Sequence, residues 1–252
     1  MSGQWRTWAS TDVGTVRTNN EDSYVCRPEI GLWMVADGAG GHDHGEVASR
    51  MLAAALAAAE GLAGSDLVAE IRASVSRTHQ QLRARADAEA DRYGHPVTIA
   101  STLAVFLASG PHYACLWAGD SRIYRLRGTQ FDQLTRDHSL VQVLVDEGAI
   151  TAEQAERHPH ANVITRAIGA DGPEPELDKV TDRAECGDRF LLCSDGLNKA
   201  LDERLIARLV ATDDPARRLV DAALEYGVRD NVTAIVLEYD PANDDATLLH
   251  RA

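Results

Sequence analysis

Four apolar runs in this chain each stop at an aspartate, with glycine or a tight polar turn beside it: Val35-Ala36-Asp37-Gly38, Ala118-Gly119-Asp120-Ser121, Cys193-Ser194-Asp195-Gly196 and Gly227-Val228-Arg229-Asp230-Asn231. A short apolar run bounded this way reads as a buried strand. A carboxylate at its end sits on a stiff support yet reaches solvent, and the glycine lets backbone or ligand come close. Taken singly, each is most simply a turn residue, because Asp-Gly is a frequent turn pair. Four ends of the same design, if they meet, make a cage of hard oxygen donors suited to Mg²⁺ or Mn²⁺.

Between these ends the pattern alternates runs of strands with pairs of helices. Strands are predicted at Gln4 to Ser10, Tyr24 to Arg27 and Leu32 to Ala36. Two helices follow, one with Val47, Met51, Ala55 and Leu62 on its face, the other opening at Ser65-Asp66 with Leu67, Ile71, Val75 and Leu82 along one side. Strands over Thr98 to Ala108, His112 to Ala118, Arg122 to Leu126 and Gln130 to Leu134 are joined by connections too short for anything but hairpins. Residues 136 to 172 are polar and irregular, with short helices near Ser139 to Glu147 and Thr151 to Arg157. Strands resume at Glu176 to Thr181 and Arg189 to Cys193; two helices come next, the second announced by Asp214-Pro215 and ended by Gly227. Val232 to Leu237 closes as a strand. The order argues for α+β layers rather than a doubly wound parallel sheet. A single domain over residues 1–240 is expected, followed by a polar tail at 241–252.

A chain of 252 residues, 44% of them hydrophobic, supports a large core. Its formal net charge of −14, from 39 acidic against 25 basic residues, repels phosphate backbones and argues against nucleic acid as a partner. Cys26, Cys115, Cys186 and Cys193 form no C-x-x-C pair, so free thiols in a reducing compartment are expected. The start of the chain lacks the apolar stretch of a signal peptide, and Met51 to Ala59 falls far short of the roughly 20 residues of a membrane span. A soluble, cytoplasmic and monomeric protein is the simplest expectation.

Two loops hold further chemistry. Asp12 to Asp22 is dense in acid and carries Arg17, whose guanidinium can hold two phosphate oxygens or, more commonly for an isolated arginine, pair with a nearby acid such as Glu21 or Asp22. The glycine-rich stretch Gly38 to Gly45 contains His42-Asp43-His44, which lacks a third soft ligand at matching spacing and reads as helix-start polarity.

Taken together and in order, Arg17-x-x-Asn20-Glu21-Asp22, Val35-Ala36-Asp37-Gly38-x-Gly40-Gly41-His42, Gly119-Asp120-Ser121-Arg122-x-Tyr124, Leu134-Thr135-x-Asp137-His138-Ser139, Leu192-Cys193-Ser194-Asp195-Gly196-Leu197 and Arg229-Asp230-Asn231-Val232-Thr233 resemble the bacterial branch of the type 2C (PPM) metal-dependent protein serine/threonine phosphatases. The resemblance spans residues 10 to 237. It implies a four-layer αββα sandwich of two mainly antiparallel sheets, with two Mn²⁺ or Mg²⁺ ions in a cleft at one end. In that family's terms Asp37 would bridge the ions, the Gly38 carbonyl would add a ligand, and Asp195 and Asp230 would complete the set. Asp120, shared with Asp195, would hold a third, weaker ion; Glu21 and Asp22 would act through bound water; Arg17 would receive the substrate phosphate. The implied reaction is in-line hydrolysis of phosphoserine and phosphothreonine by a water shared between two ions about 4 Å apart. Implied partners are phosphorylated proteins and a eukaryotic-type serine/threonine kinase, in some members one that controls a type VI secretion system. Residues 136–172 would form the family's flap beside the cleft.

The chain departs from the family in two places. Ala39 stands where bacterial members usually have methionine and animal members a histidine proposed as proton donor, so the donor here is unassigned. Ala100-Ser101-Thr102 replaces the usual Gly-Thr-Thr, which bears on packing more than on chemistry. Rival readings are a pseudoenzyme that binds phosphoproteins, a small-molecule phosphohydrolase, and a calcium-binding protein; no segment fits an EF-hand loop. No Cys-x5-Arg phosphate loop is present.

Overall fold

Strands here are built from alternation, and alternation decides the layers. The computed structural model describes residues 5–40, 44–60 and 64–241. One sheet runs in the order β1 (Trp5–Asp12), β11 (Val232–Tyr239), β10 (Arg189–Cys193), β7 (Arg122–Arg127) and β8 (Gln130–Gln133). The other runs β2 (Asp22–Arg27), β3 (Leu32–Ala39), β5 (Leu103–Ser109), β6 (His112–Ala118) and β9 (Asp178–Arg183), with the two-residue β4 (Ala100–Ser101) on the end of β3. Every pairing is antiparallel.

Because successive side chains point to opposite faces, Trp33 and Val35 of β3 join Ile235 and Leu237 of β11 between the sheets, with Phe106 and Phe190. Trp5 seals one end of this layer, its ring 4.9 Å from Tyr239 and 5.4 Å edge-on to Phe106. Leu32, Met34 and Ala36 face the other way, against α1 (His44–Ala57) and α2 (Gly64–Tyr93). On the far side Ala234 and Val236 pack under α5 (Asp195–Ala200), α6 (Glu203–Val210) and α7 (Pro215–Glu225). The result is the expected four-layer αββα sandwich. Between β8 and β9 lie α3 (Leu140–Asp146), capped by Ser139, and α4 (Ala152–Glu156), closed by a capping box at Thr151.

Four details differ from the sequence reading. The strand expected over Thr98 to Ala108 breaks at Thr102, whose N–H turns to the Asp37 carbonyl at 2.8 Å. In α1 the buried face is Ala48, Leu52 and Leu56; Val47, Met51 and Ala55 lie beside it, partly buried, and Leu62 lies outside the described residues. Three helices rather than two separate β10 from β11, because a helix begins at Asp195 itself. Asp214 precedes α7 in a left-handed conformation and makes no side-chain cap. The expected tail from 242 onward, and His42-Asp43, also fall outside the described residues.

Candidate metal centre

The register of β2 on β3 sets Asp22 directly across from Asp37. Like charges opposite each other on a strand pair repel, so something must hold them there. Asp22 is only 8% exposed, and its Oδ2 accepts from Ser194 Oγ and Thr233 Oγ1, both at 2.7 Å. Its Oδ1 is buried and finds no hydrogen-bond partner among the described residues. Asp37 is held through its peptide. Its N–H donates to Thr102 Oγ1 at 3.0 Å, and its carbonyl accepts from Ser101 Oγ and from the Thr102 N–H. Ser101, which departs from the family pattern, and Thr102, which keeps it, together fix the backbone of a candidate ligand. Ala39 pairs with Ala100 in β4 and brings no acid.

The glycines after two of the aspartates explain how separate loops come so close. A Cβ on Gly38 would lie 2.1 Å from the Gly45 carbonyl oxygen, and one on Gly196 would lie 2.0 Å from that of Asn231. Gly196 thus lets the start of α5 touch the loop before β11, bringing Asp195 toward Asp230. Asn231 ties the same loop to the acidic one. Its Nδ2 donates to the carbonyls of Val13 and Asn19 at 2.9 and 3.0 Å, and its Oδ1 accepts from the Glu21 N–H at 2.8 Å. Glu21 reaches Gly45 with its Oε1, and its carbonyl accepts from the Gly38 N–H at 3.1 Å.

Asp120 sits in the β6–β7 turn, 7% exposed. The turn is fixed by His138, whose N–H donates to the Gly119 carbonyl at 2.9 Å and whose Nδ1 accepts from the Gly119 N–H at 3.2 Å. Two basic groups enter the cluster. Arg17 forks onto Asp230, with Nε at 2.9 Å from Oδ1 and Nη2 at 3.0 Å from Oδ2. Lys199, one helical turn after Asp195, places its ammonium on Asp195 Oδ2.

The electrostatics record the crowding. Loss of hydration, followed by Asp22, Asp195, Asp120 and Asp230, holds the Asp37 carboxyl well above the usual range. Burial pushes Asp22 up to about 7 against the pull of Thr233 and Ser194. Burial and then Asp195 push Asp120 up to about 7, with Lys199 working the other way. Burial also pushes the Cys193 thiol up to about 12, so it is no nucleophile at neutral pH.

All eight sequence-derived residues gather at this end of the sandwich. Their mutual influence joins Asp22, Asp37, Asp120, Asp195 and Asp230 into one cluster, with Arg17 on its rim and Glu21 and Gly38 between loops. Arg17 pairs with Asp230 rather than with Glu21 or Asp22. Among the described residues no three acidic or imidazole groups are closed up as a finished coordination shell. The donor set nevertheless fits a pair of hard divalent ions: it is all carboxylate and carbonyl oxygen, it carries excess negative charge, and Asp22 Oδ1 is an orphaned buried acceptor. The sequence reading gave no role to Thr102, Ser194, Thr233, Asn231 or Lys199. For Thr102 and Thr233 a signal existed, since a hydroxyl inside an apolar strand must find a partner.

Comparison with known proteins shows the family that shares this architecture. The protein phosphatase 2C family profile matches residues 15–233. The serine/threonine protein phosphatase PstP of Mycobacterium tuberculosis is 41% identical over 239 residues, covering 92% of this chain and 45% of that protein, so the chain spans about half the length of this relative. Protein phosphatase PhpP of Streptococcus pneumoniae is 36% identical, covering 90% of this chain and 94% of that one. Among solved structures, PppA, described as a key regulatory component of the T6SS in Pseudomonas aeruginosa, superimposes with a TM-score of 0.84 at 38% identity, over 94% of this chain and 98% of that one. The catalytic domain of PstP in complex with two manganese ions gives 0.82 at 36% identity, over 94% and 99%. By sequence and by structure, the chain belongs to the protein phosphatase 2C family.

Proposed function

We propose that the protein is a metal-dependent phosphatase that removes phosphate from phosphoserine and phosphothreonine in proteins. The observation that carries this reading is the convergence of Asp22, Asp37, Asp120, Asp195 and Asp230, from five separate segments, beside the Arg17 guanidinium. When bound, two Mn²⁺ or Mg²⁺ ions supply Lewis acidity toward the phosphoryl oxygens and a water nucleophile active at neutral pH. Asp37, Asp195 and Asp230, with the Gly38 carbonyl, would hold these ions, and Asp120 would add a further carboxylate to the set. Glu21 and Asp22 would orient waters from behind. Arg17, already forked onto one carboxylate, has the planar geometry to turn its donors to two phosphate oxygens and to neutralise charge as the ester oxygen leaves. Ala39 offers no acid, so the proton reaches that oxygen from water or a neighbouring side chain.

A cleft of about 680 Å³ opens from Asp120 and Asp195 toward the segment 136–172, with Val141, Gln142 and Ala155 on its far wall. This segment would act as a flap that meets the protein part of the substrate. An enzyme of this kind requires an opposing serine/threonine kinase, which we infer as its partner. Among the described residues no helix is long and apolar enough to cross a membrane; a cytoplasmic monomer is the state we assign, and a dimer in light scattering would remove that part of the assignment.

Assay on p-nitrophenyl phosphate and a phosphothreonine peptide, with Mn²⁺ and with chelator, tests the reaction. Turnover is expected only with the metal, with peptide preferred, and Asp37→Asn should lower it about 10³-fold, several kcal/mol of transition-state stabilisation. Turnover that survives chelator, or Asp37→Asn, overturns the reading. Preference for the small ester would point to a small-molecule phosphohydrolase.

A further inference from the structure

The mechanism above makes no use of Lys199, yet its placement is unusual for a surface lysine. It lies on α5, four residues after Asp195, the favourable order for a helical acid–base pair. The Asp195 side chain is only 13% exposed against 39% for Lys199, so the ammonium reaches inward from the wall of the cleft. Ordinary exposed pairs contribute little, but this one ends on a candidate metal ligand. Its charge also acts on Asp120 and Asp37, and among the described residues it is the basic group whose field opposes the crowding at Asp120. Asp120 and Asp195 form the outer corner of the centre, where the cleft opens, and Asp195 is shared with Asp37 and Asp230. Two acids sharing a corner normally attract a hard cation, and here the chain brings one on a covalent tether.

We propose that the Lys199 ammonium occupies the outer corner between Asp195 and Asp120 as a built-in cation, so that the protein holds two divalent ions and disfavours a third. The proposal rests on the two-ion reading of the centre. An ion entering that corner must first lift the ammonium from Asp195 Oδ2, which costs the pair. The other oxygen of Asp195 stays available to the inner ions. A tethered cation does not vary with the metal supply. This corner is therefore neutralised whenever the protein is folded, and the response to added metal is that of the inner pair alone.

Counting bound Mn²⁺ by equilibrium dialysis, with free ion read from its EPR signal, tests this without measuring turnover. The native protein should take up two ions through the millimolar range. Lys199→Met should bind a third, its affinity raised by on the order of tenfold or more, and Asp120→Asn in that background should remove it. Asp120→Asn alone should leave the count at two. Lys199→Gln keeps the helix and a polar tip, and serves if the methionine variant melts early. A native protein that already binds a third ion, with an affinity unmoved by Lys199→Met, overturns the proposal, as does a Lys199→Met protein that still stops at two. A native count below two would strike the two-ion reading itself.

Discussion

Two walls beside the acidic cluster are made in opposite ways. One is the end of β3, where Asp37 hangs from a strand whose residues Leu32 to Ala36 are wholly buried and where Ser101 and Thr102 bond its peptide. The other is the segment 136–172, polar, with Val143 and Val163 exposed and its ties made by ion pairs such as Arg136–Asp146 and Arg166–Asp178 at 2.9 Å. Strand ends position charge closely because moving them disturbs the core; ion pairs at the surface can exchange partners at small cost. Under the proposed function, fixed chemistry would fall to the first wall and adjustable recognition to the second.

Two glycines give the sharpest way to break this contrast. Gly38→Ala drives a methyl into the Gly45 backbone, which has no room to give, and should cost about 3 kcal/mol or more in denaturant melts, with activity lost. A variant that folds and turns over normally would show the strand wall to be soft. Next in size is the pH response of metal-free protein. Asp22 and Asp120, pushed up to about 7, and Asp37, held well above the usual carboxylate range, each prefer to be protonated in the folded state. Their contribution is whole below the unfolded value of about 4 and is lost as pH rises through the folded one. Calorimetry without metal should therefore show this contribution falling between pH 4 and 7, and the gain in Tm from Mn²⁺ growing over the same span. A metal effect independent of pH would contradict it.

Thr102→Val should come third. It strips the acceptor from the Asp37 N–H and the partner from Ser121 Oγ, 2.7 Å away, at about 1–3 kcal/mol for the unsatisfied groups, and turnover should fall because Asp37 is loosened. Smallest is Gly148→Ala in the segment 136–172, where φ is 69° but an added Cβ would meet no atom of the described residues within 4 Å. About 1 kcal/mol of backbone strain is expected, with p-nitrophenyl phosphate turnover unchanged. Exchanging the whole segment 136–172 for another family member's should alter peptide preference and leave the small ester untouched.

The layers were readable in advance because Leu32 to Ala36 and Val232 to Leu237 are apolar on both faces, as strands between a helix layer and another sheet must be. The aspartates were readable because each sits where such a run ends. What escaped was everything decided by contact between distant segments. Thr102 breaks a strand because the Asp37 carbonyl is there to receive its N–H. Asn231 sits in an ordinary turn until the Val13 and Asn19 carbonyls arrive against it. The face of α1 slipped by one position because alanines on every side leave its periodicity faint. Lys199 resembles any helix-surface lysine until Asp195 is known to face inward.

The pairing of β1 with β11 has a consequence for how the molecule is born. Trp5 lies against Tyr239, and among the described residues β1 has no other strand beside it. β1 must wait for β11, more than 200 residues later, before it finds its place, and Arg17 must wait as long for Asp230. Such long-range closure slows folding. Fragments lacking β11 also lack the partner that holds Arg17 against Asp230, so the acidic cluster is completed only once that strand is in place.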